Sequence, residues 1–344
     1  MCALAMLRTG EAELIESVRQ SLVTLALHQA DNGQIPKFVA SNGEADFWYV
    51  GCIDATLWWL VMLDAFSREH PKQNMRSALA INVKRALTWL HCQEHPTLRL
   101  LSQNEASDWA DIMPRSGYVL YTNALWYHVK RLYGLPAQAQ TRYHFNHLFF
   151  PFSRDVPSYR RLRLLTDYVR DRAQARALYL SYVNFSFWGE EGDVFGNVLA
   201  LLMGLADAPR ARKIVRALER SDASSPWPAR ATCVPIEPGS AQWREYMGRH
   251  EQNFAYQYHN AGSWPLVGGF YIIALARFGK PGRAREALVH LAEACAVNDW
   301  QFNEWFHGET GEPRGMAGQS WSAAAFLLAY EALGLAPSSR ARGV

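Results

Sequence analysis

Apolar residues recur along this chain at helical spacing almost from its start. Leu14, Ile15, Val18, Leu22, Leu25 and Ala26 share one face of residues 11–29, and Asn32-Gly33 supplies the stop signal beyond. The same periodicity predicts helices over 54–66, 76–93, 117–132, 157–182, 193–205, 209–218, 263–278, 281–297 and 319–333, with a short one over 241–252. Two kinds of helix alternate. Residues 54–66, 117–132, 193–205, 263–278 and 319–333 are apolar nearly all round; 11–29, 76–93, 157–182, 209–218 and 281–297 are amphipathic, with Lys84 and Arg85 turned outward in the second. A helix apolar on every side is buried on every side, whereas an amphipathic one keeps a wet face. Alternation in chain order therefore predicts an all-α fold, an (α/α)6 toroid of about six inner–outer pairs forming one catalytic domain over 1–344, its first helix abbreviated. Strand signals are weak, residues 224–238 are Pro-rich and irregular, and no repeat of solenoid type appears.

The unusual residues fall in the loops that precede the inner helices. These read Phe47-Trp-Tyr-Val-Gly-Cys-Ile-Asp54 running into Trp58-Trp59; Asp108-Trp109-Ala-Asp111 followed by Pro114-Arg115; Trp188-Gly-Glu-Glu-Gly-Asp193; His259-Asn260-Ala-Gly-Ser-Trp264; and Asn303-Glu304-Trp305-Phe-His307-Gly308. In a toroid of helical hairpins such loops share one end, so their acids and indoles are expected to converge on one funnel. With 13 Trp, 15 Tyr and 16 Phe against 19% charged residues, the composition suits an aromatic-lined cavity. The net charge of +3 with both signs mixed gives no basic stripe for nucleic acid. Five scattered cysteines without metal-ligand spacing favour a reduced, cytoplasmic setting over a disulfide framework. No run approaches the roughly 20 apolar residues of a membrane span, and residues 1–10 are too short an apolar stretch for a secretory signal. No metal or cofactor is called for: Val267-Gly268-Gly269 is no phosphate loop, and no His/Cys/Asp group has zinc spacing.

An acid beside an indole is a sugar-site composition, since the ring covers a pyranose face and excludes water from the carboxyl. Glycoside hydrolysis needs one carboxylic acid to protonate the leaving oxygen and a second carboxylate across from it. Asp111, near Trp109, and Glu304, next to Trp305, are the pair selected on these grounds. Asp54 and Asp193 each open an apolar helix, as N-caps, as acceptors for sugar hydroxyls, or as both. Asp108 is a cap or a partner of the other acids, and Arg115 binds substrate, orients Asp111 or makes a structural ion pair. His259 and His307 offer acid–base chemistry of another kind, that of a sugar epimerase. His128 reads as a hydrogen-bonded structural residue.

The set Ile53-Asp54-Ala-Thr-Leu-Trp58-Trp59, Trp109-Ala-Asp111 with Pro114-Arg115, Asn123-Ala-Leu-Trp126-Tyr127 and Gln319-Ser-Trp321-Ser-Ala resembles bacterial glycogen-debranching amylo-α-1,6-glucosidases. Asn260-Ala-Gly-Ser-Trp264-Pro and Asn303-Glu304-Trp305 with Gly308 and Gly311 look equally like neutral/alkaline invertases, with Ala261 standing where those enzymes carry glycine. The resemblance runs from about Asn32 to Leu333. It implies an inverting (α/α)6 hydrolase with Asp111 as general acid and Glu304 as general base, and it puts Asp54, Trp59, Asp193 and Trp264 around the buried sugar. Trp58, Asp108, Trp109, Arg115, His259, Asn260, Trp305, His307, Gln319 and Trp321 complete the expected substrate-binding set. The expected substrate is a small α-glucoside, sucrose or a short α-glucan. A glycosylglycerate hydrolase, the epimerase and a silent sugar-binding protein are the alternatives, and homo-oligomerisation stays open.

Overall fold

A computed structural model of the chain describes residues 1–153, 160–174, 176–185 and 187–335. Its helices in chain order are α1 (Cys2–Thr9), α2 (Ala12–Leu27), α3 (Ile53–Glu69), α4 (Met75–Ala78), α5 (Ala80–Gln93), α6 (Leu120–Leu132), α7 (Gln138–Leu148), α8 (Arg160–Arg172), α9 (Val194–Leu202), α10 (Ala208–Arg220), α11 (Glu245–Gly248), α12 (Pro265–Arg277), α13 (Pro281–Trp300) and α14 (Ser320–Ala332). The strands among the described residues are two or three residues long, so the class is all-α, as the periodicity predicts. The chain divides into two compact units, one of Met1–Val18 with Ala208–Val344 and one of Arg19–Asp207. No described helix is long and apolar enough to cross a membrane.

In the Arg19–Asp207 unit α6 packs against both α3 and α9. These helices are buried on nearly every side: α3 from Ile53 to Phe66 except Ala55, α6 from Leu120 to Tyr127, and α9 from Val194 to Leu201. The amphipathic α5 buries only Val83, Ala86 and Leu90. The other unit repeats the contrast. There α12 is buried almost throughout, while α10 sinks a stripe of Ala211, Ile214, Val215 and Leu218 and α13 one of Ala284, Ala287, Leu288, Leu291, Ala294 and Cys295. Helix α14 departs from expectation. It buries Ser322, Ala324, Ala325 and Ala329 and leaves Leu327 exposed, because small residues bring it close to α12 on one side only. At that contact a Cβ on Gly269 would run into the Ala325 carbonyl, so only glycine admits the approach.

Other boundaries shift for identifiable reasons. Gly117–Val119 is a strand rather than the start of α6, the middle member of an antiparallel sheet with Ser102–Gln103 and Tyr182–Val183. The segment 76–93 is interrupted at Leu79, whose backbone leaves helical geometry. The long helix over 157–182 reduces to α8 and a strand; residues 157–159 and 175 lie outside the described residues. Only α11 forms within 241–252. Two helices carry no expectation: α1 is short, and α7, Gln-, Arg- and His-rich, has too few apolar positions to betray a stripe.

A buried ionic knot joins α5, α6 and α7. Lys130 pairs with Glu94 and donates to Thr141 Oγ1 at 2.9 Å, and the Trp126 indole donates to Glu94 Oε2 at 2.7 Å. Both charged side chains are under 5% exposed. Removing one partner of such a pair leaves an uncompensated buried charge. Lys130→Ala is therefore expected to cost about 3–5 kcal/mol in urea unfolding, and the double change Glu94→Gln with Lys130→Met to cost less than the single one.

Candidate active site

The acids expected in the Arg19–Asp207 unit form two connected groups. Asp54 is not the N-cap of α3: Cys52 occupies that position, and Asp54 sits inside the first turn. Its oxygens accept hydrogen bonds from Cys52 Sγ (3.0 Å) and from the Tyr121 hydroxyl (2.9 Å), which in turn accepts from Trp58 Nε1 (2.8 Å). Trp109 closes over this relay, edge-on to Phe195 at 5.4 Å and 6.4 Å from Tyr121. Burial pushes the Asp54 carboxyl above its ordinary range against the pull of these donors.

The second group surrounds Arg115, which is 1% exposed. Its guanidinium meets Glu191 at 3.6 Å and Asp193 at 3.4 Å. Its charge also reaches Asp108. Asp108 caps a turn rather than a helix: Oδ1 accepts from the Ala110 amide (2.8 Å) and Oδ2 from Gln103 Nε2 (2.9 Å). Asp193 precedes α9 and lays Oδ2 where a side chain of Gly196 would stand. One cation thus faces three carboxyls, with Asp54 as a further nearby anion. Desolvation raises all four, Asp108 to about 7. Buried like charges cannot all ionise against one guanidinium, so part of this set holds protons at neutral pH.

Asp111 differs from its neighbours in being half-buried. Its Oδ2 lies 3.4 Å from Lys37 Nζ, and desolvation raises its pKa although Lys37 opposes the shift. It is the carboxyl of the 105–117 loop that combines an upward shift with access to solvent.

In the other unit Glu304 precedes the strand Trp305–Phe306, which pairs with Pro313–Arg314. The Glu304 amide donates to the Met316 carbonyl (2.9 Å), and its carboxylate Oε2 accepts from the Met316 amide (3.1 Å), so backbone and side chain are fixed together. Two backbone bonds of 2.8 Å between Ser263 and Phe306 tie that strand to the 258–264 loop. The loop carries an aromatic nest: His259 stacks on Trp264 (4.8 Å, 8°), Tyr258 touches Trp264 and Trp305, and Trp321 stands edge-on to Trp264.

Several expected binding residues carry hydrogen bonds within the scaffold. Asn260 is fully buried and commits its amide to the Ile236 backbone (2.6 and 2.8 Å) and to the Asn253 carbonyl (3.1 Å). His307 accepts two loop amides, of Glu309 and Thr310, on Nδ1 at 3.3 Å, which leaves its proton on Nε2. The Trp59 indole donates to the Leu22 carbonyl (3.0 Å), a packing role. Gln319 is the N-cap position of α14 without a side-chain cap bond. His128 is half-buried, and burial among Arg131 and Arg68 pushes it down to about 4. Residues absent from the expected set are Cys52, Tyr121, Glu191, Tyr258 and Lys37. Glu191, within Gly-Glu-Glu-Gly, and Lys37, after Gln-Ile-Pro, look like loop charges, and nothing local marks them.

Residues 178–334 match the family model described as alkaline and neutral invertase. The chain resembles those enzymes. It is 32% identical over 140 residues to probable alkaline/neutral invertase D of Arabidopsis thaliana, covering 39% of this chain and 25% of that protein. To cytosolic invertase 1 of Oryza sativa subsp. japonica it is 31% identical over 140 residues, covering 39% and 24%. The chain therefore spans about a quarter of the length of these curated relatives. The fold is shared more widely. The GH63 mannosylglycerate hydrolase from Thermus thermophilus, solved with Tris and D-glycerate, superposes with a TM-score of 0.67 over 95% of this chain and 91% of its own, at 13% identity. Ala261 has φ +69°, a region glycine enters at no steric cost.

Two outcomes follow for the acid groups. Adding a methyl in Gly196→Ala displaces Asp193 Oδ2 and meets Leu120 Cδ2 at 2.9 Å, so thermal or urea unfolding should register a loss of about 2 kcal/mol or more. Asp108, with a folded pKa of about 7 above an unfolded value of 3.8, binds its proton more tightly in the native state. Its contribution is complete below the unfolded value and is lost as pH rises through the folded one. Stability measured by urea unfolding should fall as pH rises from 3.8 through about 7, and the fall should be smaller in Asp108→Asn.

Proposed function

We propose that this chain is an inverting glycoside hydrolase that cleaves an α-glucosidic bond of a small saccharide, sucrose or a short α-glucan. Asp111 serves as general acid and Glu304 as general base. The observation that carries the reading is Asp111: it is the half-buried carboxyl whose pKa burial raises, beside acids that are sealed in. A general acid must hold its proton and still reach the leaving group, and an upward-shifted carboxyl with access to solvent suits that role. Glu304, gripped at its amide and carboxylate by Met316, is an acceptor of defined orientation suited to removing a proton from water.

In this mechanism Asp111 donates its proton to the glycosidic oxygen as the bond to the anomeric carbon breaks. Glu304 takes a proton from a water that attacks the opposite face, and the configuration inverts. The reaction requires about 6.5–9.5 Å between the two carboxyls, room for that water. The invertase names of the relatives favour sucrose within the substrate class, and the name of the rice relative, a cytosolic invertase, is consistent with a cytoplasmic setting. The epimerase chemistry loses support because His307 Nδ1 is committed to two loop amides.

A panel of sucrose, maltose- and isomaltose-type oligosaccharides and glucosylglycerate, followed by NMR of the first-formed anomer, tests substrate and stereochemistry together. Asp111→Asn and Glu304→Gln are each expected to lower the rate by about 10²–10⁴-fold while sugar binding, read by calorimetry, persists. The rate should also fall as pH rises through the elevated Asp111 pKa, since the acid is then deprotonated. Full activity in both variants would remove the reading.

A further inference from the structure

Lys37 belongs to none of the motifs above, yet its charge reaches Asp111. We propose that Lys37, held in place by the Trp48 ring, sets the proton affinity and the orientation of Asp111. It is thus a positioning residue for the general acid, an inference that rests on the role proposed for Asp111.

The backbone arranges the contact before the side chains do. Phe38–Val39 and Ala45–Asp46 form a small antiparallel hairpin, and the Lys37 amide extends its ladder by donating to the Asp46 carbonyl at 2.7 Å. Trp48 lies two residues past the returning strand, one beyond the position that faces Lys37 in this register. The Lys37 ammonium sits 4.4 Å from the Trp48 ring centroid and 3.4 Å from Asp111 Oδ2.

Trp48 is itself held against its own preference. Its φ of +57° is a left-handed conformation that a bulky residue seldom adopts. Two bonds fix it there: its amide donates to Asp46 Oδ1 (2.5 Å) and its indole N–H to the Ala106 carbonyl (2.7 Å). The second bond fastens the hairpin to the loop that carries Asp111. A strained residue bound at both ends, with a cation on its face and the acid beyond, is over-determined in the manner of a site that fixes geometry. Lys37 lies at the open side of the acid, with a third of its side chain exposed.

From the loop of Asp111, Asp108 and Arg115 interact with each other, and Arg115 also with Glu191 and Asp193; from α3, Asp54 is engaged by Cys52 and Tyr121. Lys37, from the hairpin, acts on Asp111 and reaches Asp54 as well. Desolvation pulls the carboxyl towards its protonated form and Lys37 pulls it back. Such a balance suits an acid that must hold a proton and then release it.

The test reads Asp111 directly. Aspartate labelled with ¹³C at the carboxyl is titrated by NMR in the full chain, the Asp111 signal being the one missing from Asp111→Asn. Lys37→Met and Lys37→Gln should each raise the apparent Asp111 pKa by about one unit, the scale of an opposite charge at this distance, while Lys37→Arg leaves it near the starting value. In kinetics with whichever glycoside proves to be cleaved, the alkaline limb of kcat/KM should move up by the same interval. An Asp111 signal that titrates identically with and without the Lys37 charge overturns the proposal. A signal that shifts while the alkaline limb stays still upholds the action of Lys37 on Asp111, and it removes Asp111 as the general acid instead.

Discussion

A single guanidinium holds the chemistry of the Arg19–Asp207 unit together. Arg115 is sealed from solvent and set against Glu191, Asp193 and Asp108, with Asp54 close behind. Placing that many carboxyls in a low-dielectric interior is costly, and the cost cannot be met by one cation if all ionise. Shared protons offset the remainder. The arrangement ties two separate stretches of chain to one point: the 105–117 loop through Asp108 and Arg115, and the loop leading into α9 through Glu191 and Asp193. A wrong register in either of them strands a buried charge. The cluster is thereby a specificity device for the fold as much as a source of polar groups.

The same interior explains why Asp111 stands apart. Asp108 and Asp111 lie three residues apart in one turn-rich segment, and from composition they look equivalent. Structure makes them unequal through solvent. Asp108 receives two hydrogen bonds and a buried cation's field, and it is occupied in holding the loop. Asp111 keeps an open side and the partly exposed Lys37 cation. Chemistry that exchanges a proton with a substrate needs the second environment, and it benefits from the first as a rigid mount.

Much of the helical order was legible because burial writes a periodic signature. Helices α3, α9 and α12 must be apolar all round to sit where they do, and α10 and α13 display one stripe each. The signal failed where burial is achieved by other means. Helix α7 buries Thr141, His144, Phe145 and Leu148, a mixed set that hides its inner face. Gly117–Val119 pairs as a strand for reasons held in distant partners, Gln103 and Val183 among them. The candidate site residues followed the same rule. Asp54, Asp111, Glu304 and the tryptophans announce themselves by rarity in apolar or turn contexts. Glu191 and Lys37 do not, because a loop Glu and a loop Lys are ordinary until long-range contacts give them partners. Asn260 misleads in the opposite direction: beside a histidine and a tryptophan it looks like a ligand, whereas its amide replaces backbone pairing for a buried turn.

That last substitution bears on how the aromatic nest is built. His259, Trp264, Tyr258 and Trp305 are large, and stacking them requires loops that turn sharply without helical or sheet bonds of their own. Buried turn backbone must find partners, since an unpaired amide or carbonyl costs about as much as a lost hydrogen bond. Asn260 meets Ile236 and Asn253 for this purpose, and Ser263 meets Phe306 in a two-bond bridge. Ala261 takes up part of the cost as backbone strain at φ +69°. The scaffold polar groups are therefore consumed in fixing ring positions, and the Glu304 carboxylate too is held, by the Met316 amide. Rigid rings with sparse, oriented acids form a surface that suits a pyranose, whose apolar faces ask for indoles and whose hydroxyl rim asks for carboxylates.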